Sequence, residues 1–147
     1  MRELNQIRDA VVSALQAAGM CALVSYPDQR AGRYAGPVAA VAVETAESRT
    51  VGFCNYLGEV FDTGAGAPRE LYGKQLEAVI SIEIRGQRAA DCEQGCETAA
   101  EVLLERLPAG IRPGELNWEA LTWERETGLF LRRGRLRCRA YVLARAE

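Results

Sequence analysis

The residues best suited to metal or thiol chemistry are five cysteines, in a sequence that contains no histidine. The lack of histidine excludes Ser–His and Cys–His catalysis and histidine-based zinc sites. Cys92 and Cys96 are four residues apart, so on a helix their thiols would share one face and could hold a metal. No second ligand pair follows at metal-site spacing, which favours two small apolar side chains on a buried helical stripe. We therefore expect free thiols, no metal, no cofactor and no catalytic residue.

A glycine-rich segment at residues 64–68 superficially resembles a phosphate-binding loop. It lacks the Lys and Ser/Thr of a Walker A motif and the spacing of a dinucleotide fingerprint. Gly64 and Gly66 are better explained by a flexible loop, or by one that orders against a neighbouring subunit, and are candidate interface residues. Three carboxylates near this loop could form an acid/base or metal cluster, although such residues are usually solvated: Glu59, Asp62 and Glu70. An enzyme is thus an alternative, but we expect none.

Alternating arginines near the C-terminus form a charged stripe, called the arginine row: Arg135, Arg137 and Arg139. Strand alternation places these three on one face, opposite a core side that consists of Leu136, Cys138 and Ala140. That face is either solvated or turned toward another subunit or a lumen. Like charges this close repel, so acidic groups or solvent must compensate. One candidate complement is a helix face of the same or a neighbouring subunit, which carries Glu93, Glu97, Glu101 and Glu105.

The formal net charge is only −2, but arginines cluster near the C-terminus and glutamates cluster at residues 93–105. A surface that carries both signs in separate regions favours self-association or a charged partner. General or sequence-specific nucleic-acid binding usually requires a basic domain. Trp118 and Trp123 are five residues apart and would point to opposite faces of one strand. One is expected in the core, and the other could anchor an interface, because tryptophan is enriched at binding hot spots.

The length of 147 residues suits a single domain spanning residues 1–147. The chain has no run of about 18 apolar residues, so we expect no membrane span. Its first residues lack the apolar core of a signal peptide. This absence, with the odd number of cysteines, favours a reducing intracellular compartment.

Hydrophobic periodicity predicts two helices, at residues 2–18 and 88–107. Because glycine is unfavourable inside a helix, Gly95 could move the start of the second helix to about Glu97. The same reasoning predicts strands, the clearest at 71–85, with a weak one at 49–53 and others at 21–26, 37–44, 116–124 and 127–144. A turn at 125–128 would join the last two strands, and Gly134 would mark a bulge.

The remaining stretch, residues 54–73, contains five glycines or prolines and shows no periodicity, so an irregular loop is expected there. We further expect residues 54–70 to be mobile or to order on assembly. The predicted order is α-β-β-(β)-loop-β-α-β-β, without βαβαβ alternation. The economical solution is an α+β fold, with two helices packed on one face of a mainly antiparallel (mixed) sheet.

Several segments together resemble the tail terminator (tail completion) and related minor tail proteins of phages and prophages. They are an amphipathic helix ending at Gly19, a strand closed by Tyr26-Pro27, the long strand LYGKQLEAVISIEIRG, the helix CETAAEVLLERL and the ending TGLFLRRGRLRCRAYVLA. The resemblance implies a ring, commonly a hexamer, that caps the tail tube. Its partners would be further copies of the chain, the tail tube and head-connector proteins. The protein would be made in the cytoplasm of a bacterial host and then enter the virion.

Two other functions remain open. A head–tail joining or minor capsid protein would share the subunit size and the ring. A small ligand- or peptide-binding module would instead require one deep apolar pocket rather than a broad charged face.

Overall fold

The computed structural model describes residues 2–24, 36–50, 56–62, 64 and 66–143. Two helices and seven strands follow one another along these ranges. In chain order they are α1 (Arg2–Ala17), β1 (Cys21–Leu23), β2 (Val38–Thr50), β3 (Tyr56–Asp62), β4 (Ala67–Gly86), α2 (Ala89–Glu105), β5 (Ile111–Trp118), β6 (Thr122–Glu124) and β7 (Leu129–Leu143).

The strands form one sheet in the order β1-β2-β4-β7-β5, with β3 added to β4 and β6 added to β7. All pairings are antiparallel except that of β1 with β2. This mixed sheet with two helices confirms the predicted α+β class. The predicted strand at 21–26 begins as expected with β1, and its last two residues lie outside the described ranges.

Both helices cover the same face of the sheet, called the helix face. Alternate residues of the central strands point into it and are fully buried, among them Ile80, Ile82, Ile84 and Leu136. These side chains pack with Val11 and Leu15 of α1 and Leu103 of α2 in one cluster. The strand predicted at 71–85 is therefore confirmed within β4, where every second side chain from Leu76 to Ile84 is buried beneath the helices.

The helix predicted at 88–107 is confirmed, and the alternative start near Glu97 is wrong, because α2 begins at Ala89 and runs through Gly95. A Cβ on Gly95 would lie 2.7 Å from Pro37 Cβ and 2.8 Å from Ile84 Cγ2. The glycine therefore lets the helix lie directly on the sheet. That close approach offsets the roughly 1 kcal/mol that glycine costs inside a helix.

The irregular loop expected at 54–73 is also wrong in large part. Residues 56–62 and 67–72 pair as an antiparallel two-stranded ribbon, called the arm. Gly64 and Gly66 lie in turn conformation between the two strands, and Gly66 has a φ of 66°. The weak strand at 49–53 is not separate, because Arg49 and Thr50 belong to β2; residues 51–55 lie outside the described ranges.

The last three strands form a hairpin along one edge of β4. The turn expected at 125–128 is present, with Gly128 at a φ of 68°. The first strand of the hairpin starts at Ile111, earlier than the predicted residue 116, and its register shifts between Pro113 and Leu116. An edge strand tolerates this proline because its outer N–H groups have no ladder partner.

Gly134 is not a bulge, because β7 pairs with β4 in unbroken register through it. Instead, its lack of a side chain leaves room for the ring of Trp118 on β5, the other strand that pairs with β7. A Cβ at Gly134 would lie 2.6 Å from both Cε3 and Cζ3 of Trp118.

We expect Gly134→Ala to lower the free energy of unfolding by about 2 kcal/mol, because the indole must leave its position. Urea denaturation would measure the loss. In a Trp118→Leu background the same change should cost much less, since no ring then occupies the space. Equal costs in the two backgrounds would contradict this explanation.

Candidate functional site

The face of the sheet opposite the helices, called the open face, carries charged residues in rows that cross the strands. One row reads Glu47, Glu77, Arg139 and Arg112 from β2 through β4 and β7 to β5. The next reads Thr45, Val79 and Arg137. The expected alternation of β7 is confirmed, because the arginine row is exposed while Leu136, Cys138 and Ala140 are buried on the helix face.

Carboxylates on β4 and β2 of the same chain form ion pairs with most of the arginines of β7. Arg133 Nε lies 3.2 Å from Glu83 Oε1, and Arg139 Nε lies 3.5 Å from Glu77 Oε1. Arg135 Nε lies 3.0 Å from Oε2 of Glu44, a residue at the register shift of β2. Each such exposed pair contributes about 0–1 kcal/mol, so these pairs relieve repulsion rather than hold the fold together.

The acidic face of α2 does not provide this complement within one chain. Glu93, Glu97, Glu101 and Glu105 are exposed, as predicted. However, α2 packs on the helix face, so the sheet itself separates these carboxylates from the arginine row of the same chain. The same-subunit form of the expectation is therefore wrong, and only a neighbouring subunit could bring the two together.

Arg137 differs from its neighbours in the arginine row. Its partners across the sheet are Val79 and, beyond it, Thr45, neither of which carries a charge. No carboxylate within the described residues forms an ion pair with it. Arg137 lines a groove of about 660 Å³ on the open face, together with Glu77, Arg112 and Arg139 and the edge residues Pro113 and Gly114.

A buried ion pair lies at the other end of the open face. Arg85 is 8% exposed, and its Nε and Nη2 donate to Oε1 and Oε2 of Glu124 at 2.9 and 3.2 Å. Glu83 Oε2 accepts a further hydrogen bond from Arg85 at 2.9 Å, and the Thr127 hydroxyl donates to Glu124 at 2.7 Å. The hydrogen bonds and charge of Arg85 hold the pKa of Glu124 below its ordinary value. This ion pair links β6 and the turn that follows it to β4, the middle strand of the sheet.

Three of the described cysteines, Cys92, Cys96 and Cys138, are buried, as expected for the C-x3-C pair. Cys92 and Cys96 lie on one buried stripe of α2, and the Cys92 thiol donates to the carbonyl of Ile84 at 3.3 Å. Hydrogen bonding to Cys92 and burial raise the pKa of the Cys96 thiol. Burial also raises the pKa of Cys138 to about 11, so that thiol stays protonated near neutral pH.

The two tryptophans do not lie on opposite faces of one strand, because residues 119–121 separate β5 from β6. In register they oppose Gly134 and Phe130, which places both on the helix face. Trp118 is half-buried against the core. Trp123 is 57% exposed and meets the Phe130 ring edge-on, at 5.0 Å between centroids, so it is the one that can anchor an interface.

The other candidate residues lie on the arm. Gly64 and Gly66 are exposed in its turn. A strand, not a helix, follows this turn, so the segment is not built like a phosphate-binding loop. Glu59 and Glu70 occupy directly opposed register positions, and Asp62 ends β3 beside the turn.

The sequence patterns missed two features of this site: the glutamates of β2 and β4 that face the arginine row, and the Arg85–Glu124 pair. Glu77 and Glu83 lie within the strand predicted at 71–85. Their partners follow only from the register between strands, which local patterns do not encode.

Among the described residues, no group of three or more Cys, Asp or Glu side chains could hold a metal ion. In the same ranges, neither helix is long and apolar enough to cross a membrane.

No protein family model matches this chain, and no curated protein sequence matches it. Among solved structures, it is similar to a chain of the virion of a native gene transfer agent (GTA) particle. The two are 18% identical, the match covers 93% of this chain and 94% of that one, and the TM-score is 0.41. These values are too low to carry a function from that chain to this one.

Proposed function

We propose that this chain is a structural subunit of a phage or prophage tail, of the tail terminator kind. Copies of it would assemble in the bacterial cytoplasm into a ring, commonly a hexamer, and enter the virion. The ring would cap the tail tube and present a surface to the head connector. In this proposal the protein catalyses no reaction, binds no cofactor and reads no nucleic-acid sequence.

The observation that carries the proposal is the open face. One side of the sheet is closed by two helices, while the other presents a broad row of arginines and glutamates to solvent. Such a surface suits contact with another folded protein, because many paired charges select partner and register while adding little stability. Trp123, exposed on the helix face, offers apolar area for a separate contact with another subunit. The order of helices and strands along the chain also supports the proposal, because it resembles that of tail terminators.

Sedimentation of the purified protein at low and high salt tests self-association. We expect a ring-sized species that weakens with salt without disappearing, because charged contacts are screened while buried apolar area is not. The triple variant Arg135/Arg137/Arg139→Ser should assemble less well than wild type. Its matched control is Arg8/Arg88/Arg106→Ser, which removes three ion-paired arginines from the helices or their ends and should assemble like wild type.

A wild type that stays monomeric at high concentration would contradict a self-sufficient ring. Particle location separates the tail terminator from a head–tail joining or minor capsid protein, since antibody labelling would mark the end of the tail or the head vertex. A tail-tube or tape-measure gene beside this one would favour the tail.

The groove favours one second candidate, a peptide-binding module. Its volume of about 660 Å³ falls within the range of ligand sites, although three arginines and three glutamates line it together with apolar residues such as Val79 and Pro113. Saturable binding of a peptide by a protein that does not self-associate would favour this candidate.

A further inference from the structure

The groove of the open face carries both signs of charge in equal number. Three arginines and three glutamates line it, so it presents no net charge that would select an acidic or a basic partner. Several of these side chains are already engaged within the chain. Arg139 Nε lies 3.5 Å from Oε1 of Glu77, and Glu47 and Arg112 also make contacts. An occupant of the groove must therefore be held by something other than opposite charge.

Arg137 is the exception in this groove. It is exposed and forms no ion pair with a described residue, and its neighbours across the sheet are the uncharged Val79 and Thr45. On its other side, Gly114 lies so close that a Cβ there would be 3.0 Å from the Arg137 carbonyl oxygen, and Pro113 lines the groove beside it. The face of an aromatic side chain could bind this guanidinium without displacing a carboxylate.

Trp123 provides such an aromatic side chain. It is 57% exposed, whereas the other large apolar side chains exposed in the described ranges, Val24 and Leu104, are aliphatic. An edge-on contact with Phe130, at 5.0 Å between centroids, supports the indole on one side. A side chain held in place before binding loses little conformational freedom when it binds. Tryptophan is also the aromatic residue that binds cations best, and it is enriched at binding hot spots.

We propose that Trp123 of one copy of this chain inserts into the groove of a second copy and packs its indole on the guanidinium of Arg137. Trp123 cannot reach the groove of its own chain. It opposes Phe130 of β7, which is seven residues and therefore about 23 Å from Arg137 along the strand, and it lies on the helix face rather than the open face. Because indole and groove are different surfaces, the contact is head-to-tail, and its repetition closes a ring of subunits when the rotation permits.

This inference rests on the self-association in the proposed function and specifies one contact that produces it. Trp123→Ala should weaken association by about thirtyfold and Arg137→Ala by about fivefold, measured by sedimentation. The two changes together should cost little more than Trp123→Ala alone, because each removes the same contact. Trp123→Phe, which keeps an aromatic face, should retain most of the association. The matched controls are Leu104→Ala and Arg106→Ala, which remove an exposed apolar side chain and an exposed arginine near the end of α2.

Tryptophan fluorescence gives a second measurement, because Trp118 and Trp123 are the only tryptophans in the sequence. In a Trp118→Phe background the emission comes from Trp123 alone. As the protein concentration rises and the chain associates, this emission should shift to shorter wavelength and acrylamide should quench it less, since the indole leaves water. Arg137→Ala in the same background should show a smaller shift at the same concentration. Circular dichroism confirms that each variant is folded before it is compared.

Three results would overturn this contact. They are a folded Trp123→Ala that associates like wild type, an associated protein in which acrylamide reaches Trp123 as readily as in the monomer, and a wild type that never self-associates, including one whose groove binds a peptide instead. In the first two cases a ring could still form through other surfaces, so the proposed function would survive. Labelling of the protein at the tail end tests that function separately.

Discussion

Replacing Arg85 with alanine is expected to lower the free energy of unfolding by about 3 kcal/mol, measured by urea denaturation. The change leaves the carboxylate of Glu124 without the guanidinium that accounts for its two short ion-pair contacts. It also removes the partner of Glu83 Oε2. Arg133→Ala is the matched control, because that exposed arginine also pairs with Glu83 yet should cost under about 1 kcal/mol. Equal losses for the two variants would contradict the importance of the buried pair.

The same pair makes stability depend on pH in a defined direction. Because Arg85 holds the pKa of Glu124 below its ordinary value of 4.5, the folded state binds that proton less readily than the unfolded chain. The pair's contribution is therefore complete above the ordinary value and is lost as the pH falls through the lower, folded-state pKa. In Glu124→Gln this acid-side loss of stability should become shallower, whereas Glu126→Gln, in the exposed turn, should follow wild type.

The second large effect is expected at the contact between α2 and the sheet. Gly95→Leu should lower the free energy of unfolding by about 3 kcal/mol, since even a Cβ there would lie within 2.8 Å of Pro37 and Ile84. Gly95→Ala should cost less, because the better helix propensity of alanine offsets part of the clash. Thermal denaturation would rank the variants.

Gln94→Leu provides the control for this series. It places the same side chain one residue earlier on the exposed side of α2, where a substitution changes stability by about 0.5 kcal/mol or less. If Gly95→Leu were as stable as Gln94→Leu, the claim that Gly95 lets α2 pack closely against the sheet would be refuted.

Local patterns predicted the parts of this fold whose stability comes from a single buried face. The alternation around Ile80 and Ile82, and that around Leu136, identified the central strands because burial on one side imposes a period of two. The helical stripe containing Cys92 and Cys96 followed from the period of 3.6 for the same reason.

The patterns failed where structure depends on a distant partner. The arm contains glycines at 58 and 64 and opposed glutamates, so its local sequence favours a loop, although β3 pairs there with the start of the long strand β4. From sequence alone, Gly95 indicated an unfavourable position inside a helix. In the structure it allows the helix to contact Pro37, a residue far away in the sequence. In the candidate site, the arginine row was predicted, but its carboxylate partners could not be, because they follow from the register of three strands.

The pairing of β4 with β7 has a consequence for how the chain folds during synthesis. These two long strands form the middle of the sheet, yet they are far apart in sequence. Gly73 pairs with Leu143 and Gly86 pairs with Phe130, so β4 is synthesised well before its partner strand. Until β7 has left the ribosome, the edge of β4 between Gly73 and Gly86 lacks this neighbour. Long-range pairing of this kind slows folding, and an unpaired strand edge invites aggregation. Nascent chains that stop before β7 should therefore depend on chaperones to remain dispersed.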